Sequence, residues 1–118
     1  MKGQKLFVRP MEATDAPAVA EFLRRESPGT PPPDSALLGK LVGELVAVLA
    51  MEITAEAVAI RNLVVAHDLR RKRIGRFMID ELQSLALKMD RDRIEVKCEA
   101  PEGFLQRMGF SQNVRMVR

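Results

Sequence analysis

The 118-residue sequence contains no tryptophan, no tyrosine, one cysteine and one histidine. Cys98 alone cannot form an internal disulfide, which is typical of a reducing compartment. A single histidine and a single cysteine cannot build a metal site by themselves, and no carboxylates stand at ligand spacing, so we expect no bound metal. The only aromatic rings are five phenylalanines. This scarcity argues against single-stranded nucleic-acid binding, which depends on stacking aromatic side chains.

Long apolar runs are also missing from the sequence. The longest, LVAVLAM from Leu45 to Met51, has the length of a strand, whereas a membrane helix needs about 20 apolar residues. The polar start MKGQKLFVRP has no signal-peptide core, so we expect a cytoplasmic protein that does not bind membranes. The length and the hydrophobic content of 47% fit one globular domain over residues 1–118.

The first third of the chain predicts a strand, a helix and a loop. KLFVRP, from Lys5 to Pro10, is typical of a short strand that proline ends. TDAPAVAEFLRR predicts a helix that Thr14 or Asp15 caps, with Pro17 near its first turn. ESPGTPPPDS contains four prolines and one glycine and is interpreted as a loop. The expected apolar face of the helix comprises Ala18, Ala20, Phe22 and Leu23.

The middle of the chain predicts a three-stranded meander and a crossover helix. ALLGKLV and ELVAVLAMEI flank Gly43 as a hairpin, and AVAIRNLVV is the third strand of the meander. Apolar residues then recur at steps of three and four over about four turns, which predicts a helix that begins at Arg73 or Ile74. The apolar stripe of this helix comprises Ile74, Phe77, Met78, Leu82, Leu85 and Met89.

The last third of the chain predicts a strand over Ile94–Cys98, a short helix over Pro101–Gly109 and a final strand in SQNVRMVR. The complete order is therefore β–α–β–β–β–α–β–α–β. A meander followed by a crossover helix indicates an α/β fold with a mixed sheet and helices on both faces. The strands that end near Val65 and Cys98 are expected to be parallel neighbours.

Five of the nineteen basic side chains lie in one stretch, VVAHDLRRKRIGRFM, where a strand passes into a helix. The N–H groups and the dipole of a helix N-terminus favour an anion, and Gly75 lets a phosphate approach the backbone. Positive charge at a helix N-terminus is otherwise unfavourable. The basic turn therefore indicates either a phosphate site or an exposed turn without a function. A nucleic-acid patch is a third interpretation, weakened by the acidic residues that follow: Asp80, Glu81, Asp90 and Asp92.

The segment LVVAHDLRRKRIGRFM resembles the acyl-CoA-binding segment of the GNAT superfamily of N-acetyltransferases. There, Leu-x-Val at a strand end leads to Arg/Gln-x-x-Gly-x-Gly/Ala at a helix start. GFLQRMGF is similar to the Phe-Tyr-x-x-x-Gly-Phe segment of the family, and LFVRPMEATDAPAVAEFL to its first strand and helix. The resemblance covers nearly the whole chain in the right order. It implies a GNAT-like, mostly antiparallel mixed sheet with a V-shaped splay between two parallel strands.

The same resemblance implies acetyl-CoA as co-substrate and direct transfer of its acetyl group to a primary amine, without an acyl-enzyme. Backbone groups of Leu63 and Val65 would bond the pantetheine arm, and N–H groups from Arg71 to Arg76 would hold the pyrophosphate. Arg73 replaces the first glycine of the motif, and Leu105 stands where many members keep a tyrosine that protonates the leaving thiolate. The expected cofactor-binding residues are Leu63, Val64, Val65, Arg70, Arg71, Lys72, Arg73, Ile74, Gly75 and Arg76.

A general base must take a proton from the ammonium group of the acceptor. IEVKCEA resembles the strand of ribosomal-protein alanine acetyltransferases in which a glutamate performs this step, so Glu95 is the first candidate and Glu99 the second. The alternative is that Glu95 is a solvated strand residue, paired with Lys97 or Arg93. Glu52, at the end of the third strand, is a weaker candidate.

The sequence leaves the acceptor open between a small amine and a protein N-terminus or lysine. It also leaves two other functions open: a non-catalytic acyl-CoA-binding or regulatory module, and, less favoured, a nucleic-acid-binding protein. A homodimer is expected if an apolar strand edge is exposed.

Overall fold

The computed structural model describes residues 6–69, 73–91, 93–96 and 115–117. Among these residues no helix has the length and apolar character needed to cross a membrane. The short helix predicted over Pro101–Gly109 lies outside them. The elements are β1 (Phe7–Pro10), α1 (Ala16–Glu26), β2 (Ala36–Leu41), β3 (Glu44–Ile53), β4 (Val58–Val65), α2 (Ile74–Lys88), β5 (Arg93–Val96) and β6 (Arg115–Val117), with 3-10 turns at Ala13–Asp15 and His67–Leu69.

The six strands form one sheet in the order β1-β2-β3-β4-β5-β6. All neighbours are antiparallel except β4 and β5, which are parallel because α2 carries the chain across between them. The predicted hairpin is confirmed, and its loop consists of Val42 and Gly43, both at positive φ (50° and 80°). Two consecutive residues at positive φ are typical of the two-residue turns that match the twist of a hairpin.

The two helices cover opposite faces of the sheet. Every residue from Val46 to Met51 in β3 is buried, so both faces of this strand are covered. Both α1 and α2 pack against β3 and β4. The mixed sheet with helices on both faces, expected from the sequence, is therefore confirmed.

Two details of the helix faces differ from the sequence prediction. In α1 the structure buries Val19 with Phe22 and Leu23, whereas Ala18 is exposed. In α2 the buried ridge is completed by Ile79 and Ala86, and Phe77 is 41% exposed. Residues 77 and 79 lie on opposite flanks of the same ridge, about 100° to either side of position 78. Packing against the sheet buries Ile79 and leaves Phe77 partly exposed. Helical periodicity alone does not predict which of these two side chains is buried.

The side chain of Asp15, a candidate cap of α1 in the sequence prediction, makes different contacts in the structure. Asp15 is the N-cap residue of α1 but makes no side-chain cap to this helix. Its carboxylate accepts two hydrogen bonds from the Arg9 guanidinium, at 2.8 and 2.7 Å, and one from the Glu12 N–H at 2.8 Å. Asp15 therefore ties β1 to the turn that precedes α1. Hydrogen bonds from Arg9 and from the Glu12 N–H hold the pKa of this carboxyl well below its usual range.

Replacing Asp15 with asparagine should lower the stability of the protein at neutral pH and leave it unchanged in strong acid. A carboxyl whose pKa is lower in the folded state stabilises the protein above its unfolded pKa, about 3.9, and loses that contribution as the pH falls below it. The Tm values of the natural protein and Asp15→Asn should therefore differ at pH 7 and converge below about pH 4. Thermal unfolding followed by circular dichroism at several pH values measures this, and a constant difference in Tm would contradict it.

Candidate functional site

Three residue pairs join the parallel strands β4 and β5 in the part of the chain that the structure describes. The described pairs are Val58 with Ile94, Ala59 with Glu95 and Ile60 with Val96. Strand β4 continues for five more residues to Val65, and over Asn62–Val65 its described partner is β3 on the other side. On the side of β4 opposite β3, residues 62–65 have no paired strand among the described residues, and residues 97–114 are not among these. The expected V-shaped splay would place a gap on this side, and this side of β4 beyond Ile60 is called the gap.

A β-bulge lies where this gap begins. Met51 pairs with Ile60 and Ala50 pairs with Asn62, so Arg61 is an extra residue in β4. A bulge bends a strand and increases its twist. The bend in β4 thus falls next to the last described pair with β5. Sequence reasoning missed Arg61 and Asn62, because a single extra residue leaves no clear mark on an apolar strand pattern.

The backbone of β4 beyond the bulge points polar groups into the gap. The N–H of Ala66 donates to the carbonyl of Val46 at 2.9 Å, towards β3. Because the direction of these groups alternates along a strand, those of Val64 also face β3, and those of Leu63 and Val65 face the gap. The Leu63 N–H donates to Oδ1 of the adjacent Asn62 at 2.9 Å. The side chain of Val64 is buried, and those of Leu63 and Val65 pack against the edge of the core.

The chain then enters the basic turn and α2. After the 3-10 turn at His67–Leu69, Arg70, Arg71 and Lys72 lie outside the described residues. Helix α2 begins at Ile74, as predicted, and its first-turn residue Gly75 is half-buried. Within the described part of α2 the first turn carries no acidic residue, and Arg73 gives no side-chain cap. The helix N-terminus therefore combines cationic side chains with backbone N–H groups, the combination that favours an anion.

Arg73 has a left-handed backbone conformation, with φ 63° and ψ 16°. This conformation costs a residue with a Cβ about 1–2 kcal/mol and costs glycine little. Arg73→Gly should therefore raise the free energy of unfolding by about 1 kcal/mol. Denaturant titration measures the change.

Arg73→Ala is the matched comparison, because it removes the same charge but keeps a Cβ. We expect little or no stabilisation from alanine. Equal stabilisation by both variants would assign the effect to relief of charge repulsion and not to the backbone.

Glu95 lies in a row of residues that crosses the sheet. Glu52 in β3 is paired with Ala59 in β4, and Ala59 with Glu95 in β5. Directly paired residues point to the same face of a sheet, so both glutamates share a face. Glu95 is one residue before the last described β4–β5 pair and thus lies at the mouth of the gap. Glu99 lies outside the described residues.

Both glutamates have a basic neighbour. The Oε2 of Glu95 is 3.9 Å from Nη1 of Arg93, with the Glu95 side chain 28% exposed. The Oε1 of Glu52 accepts a hydrogen bond from Nη1 of Arg61 at 3.2 Å. The partner Arg93, named in the alternative interpretation of Glu95, is therefore present, but at the outer limit of an ion pair. The shorter contact makes Glu52 the more firmly engaged carboxylate.

A groove of about 660 Å³ opens beside this row. Its walls are the proline-rich loop, the end of β3 and the bulge of β4, and its lining carries both charged and hydrogen-bonding side chains. It is lined by Thr30, Pro31, Pro32, Pro33, Asp34, Ser35, Ala50, Met51, Glu52, Ile53, Arg61 and Asn62. The groove thus reaches the sheet at the bulge of β4, next to the last described pair with β5.

Comparison with protein families identifies the class of protein to which this arrangement belongs. Residues 5–110 match the model of the acetyltransferase (GNAT) family. Since this match spans most of the chain, the protein belongs to the GNAT family. A sequence comparison with curated proteins finds no match.

Solved structures with the same fold are acetyltransferases. The aminoglycoside N-acetyltransferase AAC(6')-Iy, in complex with a CoA bisubstrate analogue, is 14% identical, with a TM-score of 0.76 over 97% of this chain and 96% of that chain. A ribosomal-protein-alanine N-acetyltransferase from Brucella melitensis biovar Abortus 2308 is 18% identical, with a TM-score of 0.77 over 91% and 92%. YhbS from Escherichia coli, in complex with CoA, is 15% identical, with a TM-score of 0.76 over 94% and 71%. At these identities the similarity establishes the fold.

Proposed function

We propose that this protein transfers an acetyl group from acetyl-CoA to a primary amine. The observation that carries the proposal is the side of β4 opposite β3, which the backbone groups of Leu63 and Val65 face beyond the last described pair with β5. The gap lies beside a strand that leads directly to a basic helix N-terminus. Family membership and the CoA complexes of the structural neighbours support the same co-substrate.

In this proposal the pantetheine arm lies along β4 as an additional hydrogen-bonding partner. Its amides pair with the N–H and C=O groups of Leu63 and, in exchange for an interaction that Val65 already makes, with those of Val65. Because Asn62 Oδ1 already accepts from the Leu63 N–H, pantetheine binding exchanges one hydrogen bond for another. The pyrophosphate binds the N–H groups of the turn from Arg71 to Arg76, with Gly75 giving close approach. The cationic side chains that add charge-assisted contacts are Arg70, Arg71, Lys72, Arg73 and Arg76.

The acceptor enters through the groove below the proline-rich loop. Glu95, at the mouth of the gap, removes a proton from the ammonium group, and Glu99 is the second candidate. The free amine attacks the thioester carbonyl, the C–N bond forms, the C–S bond breaks, and CoA leaves as a thiolate. The nitrogen then loses its second proton, which ends on the thiolate to give the free thiol of CoA. A thiolate with a pKa near 8.5 is a good leaving group, so the step does not depend on a tyrosine at the position of Leu105. The acceptor is a small amine, or the N-terminus or a lysine of a protein.

The test is release of the CoA thiol from acetyl-CoA in the presence of a panel of amines. Glu95→Gln should lower kcat by about a hundredfold, the smaller end of what a general base contributes, and leave the KM for acetyl-CoA unchanged. Glu56→Gln, a matched change at an exposed position between β3 and β4, should have no effect.

Two results would contradict the proposal. Acetyl-CoA binding without thiol release for any amine would indicate a non-catalytic acyl-CoA-binding module. Salt-dependent binding of DNA or RNA that CoA does not compete away would assign the basic turn to nucleic acid.

A further inference from the structure

A nearly buried carboxylate holds the chain where it leaves the sheet for the basic turn. Glu26, the last residue of α1, has a side chain only 6% exposed. Its Oε1 accepts a hydrogen bond from the backbone N–H of His67 at 3.0 Å and lies 3.2 Å from His67 Nδ1. Its Oε2 accepts from Nε of Arg25 at 3.3 Å. The bond to His67 joins residues 41 positions apart in the chain.

The hydrogen bond between His67 and Glu26 lies where the chain leaves β4 for the basic turn. The N–H of Ala66 makes the last described bond of this segment to β3, and His67 then opens the 3-10 turn. The hydrogen bond from the His67 N–H to Glu26 is thus the next described contact that fixes the chain after the sheet ends. Hydrogen bonds from a backbone N–H to a carboxylate are stronger than neutral ones. The His67 N–H is also the main cause of the lowered pKa of Glu26, which keeps this carboxyl ionised.

The basic turn needs a contact that fixes the position of its first residues. Four consecutive cations, Arg70 to Arg73, repel one another at short range. Backbone N–H groups bind a pyrophosphate tightly only if they already point towards its site before it binds. Ordering the turn on binding would cost affinity. The start of the turn must therefore be fixed from outside, and Glu26 fixes it from α1.

We propose that Glu26 is a positioning residue for acyl-CoA binding, acting through the backbone N–H of His67. This inference rests on the proposed function, because it assigns the turn after His67 to the cofactor. Glu26 does not touch the cofactor itself. It sets the direction in which the chain enters the basic turn.

Two variants act on the contact from opposite sides. Glu26→Gln removes the charge of the acceptor, and His67→Pro removes the N–H donor. Proline is tolerated at the first position of a helical turn, where His67 lies, so the turn itself should persist. Both variants should raise the Kd for acetyl-CoA by about tenfold, which corresponds to about 1.4 kcal/mol. Their effects should not add in the double variant, because without the His67 N–H the charge of the acceptor no longer acts on this bond.

Two further variants serve as controls. His67→Ala keeps the backbone N–H and should leave the Kd within about twofold, since the exposed ring adds little. Glu21→Gln removes one negative charge from the exposed surface of the same helix and should leave the Kd unchanged.

Calorimetric titration with acetyl-CoA and hydrogen exchange over residues 67–76 are the two measurements. Faster exchange in Glu26→Gln together with a raised Kd supports positioning. A lower Tm with unchanged Kd, or an effect of His67→Ala as large as that of His67→Pro, overturns it. If the natural protein does not bind acetyl-CoA, the proposed function fails, whereas the exchange comparison still shows whether Glu26 orders the turn.

Discussion

Gly75→Glu is expected to weaken acetyl-CoA binding by about a hundredfold or more, a loss of about 2.7 kcal/mol. Position 75 lies in the first turn of α2, where the proposed pyrophosphate meets the backbone. A glutamate there fills the approach and places a negative charge next to the phosphates. The same carboxylate interacts favourably with the helix dipole, and glycine is a poor helix former. The variant should therefore be folded, with a Tm no lower than that of the natural protein.

Calorimetric titration with acetyl-CoA measures the effect, and two variants separate its causes. Ser84→Glu adds the same charge at an exposed position further along α2 and should bind acetyl-CoA normally. Gly75→Ala adds only a methyl group and should show an intermediate loss. Unchanged binding by Gly75→Glu would place the cofactor elsewhere. Equal weakening by Ser84→Glu would reduce the effect to general electrostatic repulsion.

Leu82→Ala is expected to destabilise the protein by about 2–5 kcal/mol. The Leu82 side chain is fully buried on the face of α2 that packs against the sheet. Truncation removes its transfer free energy and leaves a cavity that the surrounding core fills only in part. Because small domains are stable by only about 5–15 kcal/mol, this loss is a large fraction of the total.

Urea or guanidinium titration measures the change, with Leu87→Ala as the matched control. Leu87 lies on the same helix but is 46% exposed, so its truncation removes far less buried surface and should cost less than about 1 kcal/mol. Similar losses for both variants would show that helix propensity and not burial against the sheet dominates. The comparison also tests the orientation of α2, on which the placement of Gly75 at the gap depends.

Several features of the fold were predictable because they depend on local chemistry. The start of α2 at Ile74 follows from its apolar periodicity, and the turn at Gly43 from a glycine between two apolar runs. The parallel pairing of β4 with β5 follows from the crossover helix between them. Each of these signals is contained in neighbouring residues and needs no knowledge of distant contacts.

Other features depend on contacts between distant parts of the chain and left no local signal. The bulge at Arg61 arises from the pairing of β3 with β4. Gly39 lies inside β2, and a Cβ there would come within 2.9 Å of Met78 Sδ and 3.3 Å of Ala47 Cβ. A larger residue there would therefore require the Met78 side chain of α2 to shift. Thr14 or Asp15 was expected to cap α1, but the Asp15 side chain binds Arg9, since a bidentate charged partner offers more than a helix N–H.

The sequence by itself determined the order of the elements, the basic turn and the resemblance to GNAT acetyltransferases, because apolar periodicity, glycine and clustered charge act over a few residues. Tertiary structure alone decided where β4 bulges, which side of β4 the backbone groups of Leu63 and Val65 face, and which carboxylate binds His67. These depend on register across the sheet and on the position of α1 relative to β4. A contact such as Glu26 with His67, 41 residues apart, exists only once the whole domain is assembled.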